Sequence, residues 1–174
     1  MFSEKYYIIN QHFMYMKGEY DPNGKLCTIV TELKKTILVD KAPLKILEDS
    51  IKCIGFDLRG AMATAKWIIG DTHMTPVMVN PIHRICVFPD KSAKNDETTW
   101  FNPNHIVRTR DFNRKTKIEF RNGQTLTVPS KLPAFNHKLQ TAEQLRNITI
   151  EIGENPISFI IEPQIDQIRL SHSR

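Results

Sequence analysis

The sequence lacks most features of exported, membrane-bound and metal-binding proteins. Its three cysteines are widely spaced and include no C-x2-C pair, so neither a disulfide framework nor a structural zinc site is expected. No apolar run approaches the roughly 18 residues of a membrane-spanning helix, and the first residues lack the apolar core of a signal peptide. We therefore expect a soluble protein of a reducing cytoplasm, without a membrane partner.

Motifs of common catalytic and nucleotide-binding sites are missing too. The Gly-x4-Gly pair that begins at Gly55 is followed neither by Lys-Ser/Thr nor by a third glycine, and G-x-S-x-G and H-E-x2-H do not occur. His73, His83 and His105, with Cys86, come nearest to a metal or thiol-imidazole site. Their loose spacing favours partly exposed histidines and a buried core cysteine instead. We expect no enzymatic activity, no metal and no cofactor.

The chain does have a strongly basic segment. The net charge is +5, and residues 105–131 hold seven basic side chains against two acidic ones. Charge gathered in this way is typical of a surface that binds a polyanion such as nucleic acid. The alternative is a solvated hairpin whose charges prevent edge-to-edge aggregation. The seven basic residues are Arg108, Arg110, Arg114, Lys115, Lys117, Arg121 and Lys131.

The length of 174 residues and a hydrophobic fraction of 40% predict one packed domain. Alternating and β-branched stretches predict strands at residues 6–20, 26–30, 36–39 and 106–112. After Pro43, apolar residues spaced three and four apart predict a helix that Gly55 ends. Residues 60–69 fit either a second helix or a strand. We expect an α+β fold, a single domain of mainly antiparallel β-sheet with hairpins plus two or three helices.

The first predicted hairpin is central to the chain. Apolar and β-branched runs at residues 77–79 and 84–88 flank a four-residue turn that begins with Asn80 and Pro81. A polar surface loop is expected after it, at residues 90–99.

A second hairpin should pair residues 117–121 with residues 124–128. The two strands flank Asn122-Gly123, the preferred dipeptide of a type I′ turn. Because side chains alternate along a strand, Ile118 and Phe120 would face one side, the core, while Lys117, Glu119 and Arg121 face the other, basic side.

A helix and short strands are predicted at the C-terminal end. Ser130 is in position to cap a helix, whose apolar residues recur at helical spacing up to Leu145. Residues 148–152 and 157–161 are typical of short strands or interaction segments.

Several short motifs follow one another in a characteristic order. They are Asn23-Gly24-Lys25-Leu26-Cys27, Gly55-x4-Gly60, Gly70-x2-His73-Met74-x-Pro76-x-Met78-Val79-Asn80-Pro81, Phe88-Pro89, Trp100, His105-Ile106-Val107, Phe120-x-Asn122-Gly123, Phe135 and Leu145-Arg146. Together they resemble the ComK family of bacterial competence transcription factors, over roughly residues 7–146. The resemblance divides the chain into a ComK-like DNA-binding domain, residues 1–150, and a C-terminal tail, residues 151–174.

The resemblance implies a nucleoid-associated, homo-oligomeric activator that binds paired A/T-rich boxes in double-stranded DNA from the minor-groove side. It would promote transcription of DNA-uptake genes, with RNA polymerase as a further partner. Zinc-finger spacing, a heptad run behind a basic helix and a helix-turn-helix pair are absent, so a basic β-ribbon or short arm would contact the DNA. The main candidate residues are Arg108, Arg110, Arg114, Lys115, Lys117 and Arg121. Arg84, Arg59 and Lys66 are secondary candidates.

Departures from the family pattern leave a second hypothesis open. Where the family shows G-S-S-x-x-G-R-K, residues 55–62 are G-F-D-L-R-G-A-M, so the Ser and Arg-Lys pairs are missing. The chain would then be a divergent ComK-like regulator that acts through protein contacts with little DNA affinity. The tail is short for the family, but Phe159 and Pro163 match an F-x-x-x-P segment that ComK proteins use to engage a Clp-protease adaptor. The alternative for these two residues is an ordinary terminal strand.

Overall fold

The computed structural model describes residues 3–70 and 73–156. In chain order, the elements are β1 (Ser3–Glu4), β2 (Phe13–Tyr20), β3 (Leu26–Glu32), β4 (Thr36–Val39), α1 (Pro43–Cys53), α2 (Leu58–Ile69), β5 (Val77–Asn80), β6 (Ile85–Pro89), β7 (Thr99–Phe101), a 3-10 turn (Pro103–His105), β8 (Ile106–Phe112), β9 (Lys115–Phe120), β10 (Thr125–Val128) and α3 (Leu132–Glu154). Within these residues, no helix combines the length and hydropathy that a bilayer crossing requires.

The strands form two sheets. The larger sheet has seven strands in the order β1-β4-β3-β2-β7-β6-β5, and its neighbours run antiparallel except for the parallel pair β1 and β4. The smaller sheet contains β10, β9 and β8, antiparallel throughout. The prediction of an α+β domain with mainly antiparallel strands is confirmed. The stretch 6–20, for which one or two strands were expected, contains the single long strand β2.

Strand β6 shows how the layers are stacked, because all five of its residues are buried. Ile85 and Val87 join the apolar core that includes α1, whereas Cys86 and Phe88 join a second core with α3 and β9. Successive side chains of a strand point to opposite faces. The centre of the large sheet is therefore covered by α1 on one face and by α3 and the small sheet on the other.

The first hairpin forms as predicted, with one difference at its turn. Arg84 was expected to begin the second strand, but it lies in the turn with a φ of 57°, and β6 begins one residue later. The Asn80 side chain accepts a hydrogen bond from the His83 N–H at 3.0 Å, as is usual for Asn at the first position of a turn. The loop that follows is only partly a surface loop, because Asp90 and Thr98 are buried.

Gly55 terminates helix α1, as predicted, two residues after the last helical residue, Cys53. The φ of Gly55 is 92°, a value that residues with a Cβ rarely adopt. Its N–H donates to the Lys52 carbonyl at 3.0 Å, and the Phe56 N–H donates to the Ile51 carbonyl at 3.2 Å. These two bonds form the Schellman arrangement, which satisfies the last carbonyls of a helix.

Residues 60–69, for which the sequence allowed a helix or a strand, lie in α2. The Asp57 carboxylate accepts a hydrogen bond from the Gly60 N–H and so caps the first turn. Ala65 and Ile68 are buried, and the helix packs against α1, β5 and α3. It therefore covers the edge of the large sheet that β5 would otherwise expose.

Helix α3 extends further than predicted. Residues 148–152, for which a short strand or an interaction segment was predicted, are helical because Ile148 continues the buried stripe that contains Leu145 and Phe135. Packing of this stripe against the second core outweighs the β-branched composition of the segment, since tertiary contacts routinely override propensity. The predicted strand at residues 157–161 lies outside the described residues.

The start of α3 also differs from the prediction. Its N-cap residue is Lys131, which makes no side-chain capping bond, and a proline occupies the first turn. Proline suits that turn because its missing N–H would have no partner within the helix. Ser130 caps nothing there, and its carbonyl accepts a hydrogen bond from the Thr116 hydroxyl at 2.7 Å.

The second hairpin forms, but the prediction of a type I′ turn at Asn122-Gly123 is wrong. Only Gly123 has a positive φ, 84°, and its N–H donates to the Phe120 carbonyl, as in a three-residue loop closed by a bulge. The Asn122 amide donates to the Leu33 carbonyl at 2.9 Å. This contact joins residues far apart in sequence, so no local turn pattern reveals it.

Candidate nucleic-acid interface

The small sheet separates basic from apolar side chains. In the antiparallel register, Arg108 lies opposite Glu119, Arg110 opposite Lys117, and Phe112 opposite Lys115. These side chains share the outward face of the sheet. We call Arg108, Arg110, Lys115 and Lys117 the basic face.

The opposite side of the small sheet is anchored to the core. Ile118 and Phe120 are fully buried in the apolar cluster that contains Phe135 of α3. The Thr109 hydroxyl also donates to the Asn136 side-chain oxygen on α3 at 2.6 Å. The prediction of an apolar inner face and a basic outer face on β9 is therefore confirmed, and the basic face stands on a packed support.

The basic side chains of this face differ in whether a carboxylate lies beside them. The Arg108 Nε atom lies 3.0 Å from a Glu119 carboxylate oxygen. In the part of the chain that the structure describes, no carboxylate forms an ion pair with Arg110 or Lys117. Lys117 Nζ lies 5.6 Å from the centre of the Phe112 ring, a weak cation–π contact. Like charges directly opposite each other destabilise a sheet, so Arg110 and Lys117 would gain most from a bound anion.

A tight turn presents one more basic residue, Arg114, next to Lys115 at one end of this face. Asn113 and Arg114 have φ values of 52° and 62°, the pattern of a type I′ turn, and they join β8 to β9. Arg114 and Lys115 are exposed. The type I′ geometry thus occurs one hairpin earlier than predicted. Its sequence signal is Asn113 alone, since Asn tolerates positive φ better than most residues.

Two other candidates lie around Asn104 rather than on the basic face. The Arg121 Nε donates to the Asn104 carbonyl at 2.6 Å, and the Asn104 side-chain amide donates to the Arg84 carbonyl at 3.0 Å. The Asn104 side-chain oxygen accepts a hydrogen bond from Arg146 of α3. We call Arg121 and Arg146 the Asn104 cluster, because their guanidinium groups both contact Asn104, whereas Arg84 contacts it only through its backbone carbonyl. Arg146 was not predicted as a site residue, because its contact with Asn104 spans 42 positions.

The remaining candidates, Arg59 and Lys66, belong to α2. Both are exposed, and they line a hollow between α2 and α1, so they sit on an element separate from the basic face. Ala61 and Met62, where the family shows Arg-Lys, pack partly buried against the first core. Basic side chains at these two positions would have to reach past the core to contact a ligand.

The Gly-x4-Gly motif lines a pocket of about 540 Å³. Phe56, Gly60, Met78 and Leu145 contribute to its mainly apolar wall. The Thr149 hydroxyl, also in the wall, is buried without a hydrogen-bond partner among the described residues. The motif thus lies at a junction between α2, α3 and β5.

The histidine and cysteine expectations are met only in part. His83 is exposed, with its Nδ1 2.8 Å from the Gln11 side-chain amide. His105 is buried rather than partly exposed. Its Nε2 donates a hydrogen bond to the Gln11 carbonyl at 2.6 Å. Cys86 is buried as predicted, and burial raises the pKa of its thiol. Among residues 3–70 and 73–156, no three metal-ligating side chains are grouped to hold an ion.

The tail residues Phe159 and Pro163 lie outside the described residues. Their assignment to a protease adaptor therefore stays a prediction.

Comparisons with known proteins identify the family. The family model described as ComK protein matches residues 3–152. The "Competence transcription factor" of Bacillus subtilis (strain 168) is 26% identical over 126 residues, which cover 71% of this chain and 65% of that protein. The matched stretch is thus slightly less than two thirds of that relative's length. No solved structure shows a significant match. Since the family model spans most of the sequence, the chain belongs to the ComK family, as the order of its motifs predicted.

Proposed function

We propose that this protein is a DNA-binding transcriptional activator of competence genes. It binds paired A/T-rich boxes through the minor groove, with the basic face and the Asn113-Arg114 turn as its contact surface. The observation that carries this proposal is the position of Arg110 and Lys117, which form no ion pair with a carboxylate of the described residues. Both are held outward on a sheet whose inner side is packed on α3.

The shape of the surface suits this target. The β8–β9 hairpin of the three-stranded sheet ends in a tight turn that can enter a groove. The turn carries Arg114 at its tip, next to Lys115 at the start of β9. The narrow minor groove of an A·T tract has an enhanced negative potential, in which arginine is favoured. Discrimination then depends on groove width and DNA deformability more than on base edges, because the minor-groove pattern is degenerate.

Paired boxes suggest a symmetric assembly. We infer that two copies of the chain bind together, since the two-fold symmetry of a dimer matches two related half-sites. RNA polymerase is the further partner that transcriptional activation requires.

The direct test is fluorescence anisotropy with a duplex that carries two A/T boxes one helical turn apart. The control duplex has the same length, with G·C pairs in both boxes. We expect tighter binding to the A/T duplex, weakened by salt and by a minor-groove-binding drug. Equal and weak binding to both duplexes would exclude the proposal.

A second candidate function is regulation through protein contacts with little DNA affinity. It is favoured by Ala61 and Met62, which pack against the core where the family shows an Arg-Lys pair. Charge reversal of Arg110, Arg114 and Lys117 separates the two candidates. Loss of promoter activation by a folded variant supports direct DNA binding, whereas full activation supports the protein-contact function.

The tail carries a separate proposal, in which Phe159 and Pro163 engage a Clp-protease adaptor. We expect deletion of residues 155–174 to lengthen the half-life of the protein in its host. An unchanged half-life would remove the reason to assign this role to the tail.

A further inference from the structure

We propose that the Asn104 cluster is a second phosphate-binding site, which holds the DNA backbone beyond the segment contacted by the basic face. This inference rests on the proposed DNA-binding function and assigns a role to Arg146. Elements that are distant in sequence meet there: Arg121, directly after β9, and Arg146 of α3 supply the two side chains, and the turn after β5 contributes the backbone carbonyl of Arg84.

Asn104 positions the arginines through both of its oxygens. Its backbone carbonyl accepts from Arg121, and its side-chain oxygen accepts from Arg146. A guanidinium has five N–H donors, so each arginine keeps several donors for an anion. Side chains that are held before binding lose less conformational entropy when the ligand arrives.

The charge of the cluster is not balanced within the described part of the chain. No carboxylate there forms an ion pair with Arg121 or Arg146. Burial lowers the pKa of nearby His105, which disfavours an additional positive charge beside the cluster. Cations brought together without a counter-charge repel each other, and a phosphate group removes that cost.

The position of the cluster fits a continuous DNA path. Arg121 follows the last residue of β9, six positions after Lys115 at the turn. At about 3.3 Å per strand residue, the two ends of this path are about 20 Å apart. Backbone phosphates repeat every 3.4 Å or so along each strand. A duplex that lies along β9 would therefore contact the cluster about six base pairs from the turn.

The test compares two duplexes with the same central A/T box. One has about 6 base pairs, closed at each end by an uncharged linker, and the other has about 20. With the box centred on Arg110 and Lys117, the short duplex ends about three base pairs from the centre, whereas Arg121 lies four strand residues beyond Lys117, or about four base pairs away, so only the longer duplex reaches the cluster. We expect the double variant Arg121→Gln with Arg146→Gln to bind the longer duplex about ten-fold more weakly. The slope of log affinity against log salt should fall by about 1.8, because two phosphate contacts are lost. Binding to the short duplex should be unchanged.

Three control variants distinguish a binding site from a structural role. Lys94→Gln removes one exposed charge in the loop between β6 and β7 and should leave both affinities within about two-fold of wild type. Arg146→Lys keeps the charge and should retain the salt slope. Asn104→Ala keeps both arginines and should weaken binding to the longer duplex without changing the slope, as expected of a positioning residue. Thermal melting of each variant establishes that it is folded.

The outcomes separate this inference from the function on which it rests. If Arg110→Gln weakens binding while the double variant matches wild type on the longer duplex, the Asn104 cluster is not a phosphate site and the proposed function stands. If wild type shows no preference for the A/T duplex, both are overturned. If the double variant loses affinity equally on both duplexes, the effect is not local to the extended segment and the inference is wrong.

Discussion

Arg108 and Arg110 lie two residues apart on the same face, yet their charges are in different surroundings. Arg108 is paired with Glu119, whereas Arg110 lies opposite the like charge of Lys117. An arginine already paired with a carboxylate has to share its donors with an incoming phosphate. Sequence position alone therefore does not rank these residues as DNA contacts.

We expect Arg110→Gln to weaken binding to the A/T duplex about five-fold and to lower the salt slope by about 0.9. Arg108→Gln should have a smaller effect, because Glu119 already offsets its charge. Glu119→Gln should strengthen binding, since it frees Arg108 and removes a negative charge from the face. Anisotropy titrations at two salt concentrations measure all three. A larger loss for Arg108→Gln than for Arg110→Gln would contradict this ranking.

His105 should make the folding stability of the protein depend on pH, independently of any DNA contact. Burial lowers the pKa of its imidazole from the usual 6.5, nearby Arg121 and His12 act in the same direction, and the hydrogen bond to Gln11 opposes them. The folded protein therefore takes up this proton at a lower pH than the unfolded chain does. It follows that folding stability is lost as the pH falls below about 6.5.

We expect the free energy of unfolding of the wild type to decrease between pH 7 and pH 5.5. A His105→Gln variant can still donate to the Gln11 carbonyl but does not titrate, so its stability should change less over the same range. Denaturant unfolding at several pH values gives both curves. Parallel curves for the two proteins would show that His105 does not cause the pH dependence.

At the scale of elements, the turn between β8 and β9 combines a strained backbone with exposed charge. Arg114 adopts a φ of 62°, which costs a residue with a Cβ roughly 1 kcal/mol relative to glycine. Such strain often coincides with functional positions. The same residue is exposed at the tip of the candidate DNA-binding hairpin.

Stability and binding should therefore change in opposite directions at Arg114. We expect Arg114→Gly to raise the free energy of unfolding by up to about 1 kcal/mol. It should also lower the salt slope of DNA binding by about 0.9, through loss of one phosphate contact. Arg114→Asn is the matched control, because Asn tolerates the same φ and should lose the contact with little change in stability. Chemical denaturation and anisotropy give the two quantities, and a stabilised Arg114→Gly variant with unchanged binding would remove Arg114 from the interface.

The elements that the sequence predicted correctly are those fixed by local chemistry. The spacing of Leu44, Leu47 and Ile51 predicted α1, and Gly55 its end. Alternation around Ile118 predicted the buried and basic faces of β9. These patterns reflect burial on one face of one element, which a short window of sequence contains.

The features that the sequence missed depend on contacts between distant residues. The loop at Asn122 is tied to Leu33, and the extension of α3 is stabilised by packing of Ile148 in the second core. Asn104 joins Arg121 to Arg146 although nothing in their local sequence connects them. The candidate site was thus predictable as a basic hairpin, but its division into a basic face and the Asn104 cluster was not.

At the scale of the whole molecule, both candidate surfaces depend on α3. This helix packs against β6 of the large sheet and against β8 and β9 of the small sheet, and it also supplies Arg146. The second core thus holds the basic face and the Asn104 cluster in a fixed relation. A rigid surface of this kind fixes the orientation of each copy of the protein on the duplex.

A fixed orientation makes binding to paired boxes sensitive to their helical phase. If two copies bind neighbouring boxes and contact each other, both boxes must face the same side of the duplex, which recurs every 10 to 10.5 base pairs or so. We expect an insertion of about five base pairs between the boxes to abolish cooperative binding, and an insertion of about ten to restore much of it. Anisotropy titrations with the three duplexes and a single-box control measure the cooperativity directly. Binding that is equally cooperative at every spacing would show that the copies do not contact each other through fixed surfaces. If the affinity per box is the same for the single-box and the two-box duplex, each copy binds on its own.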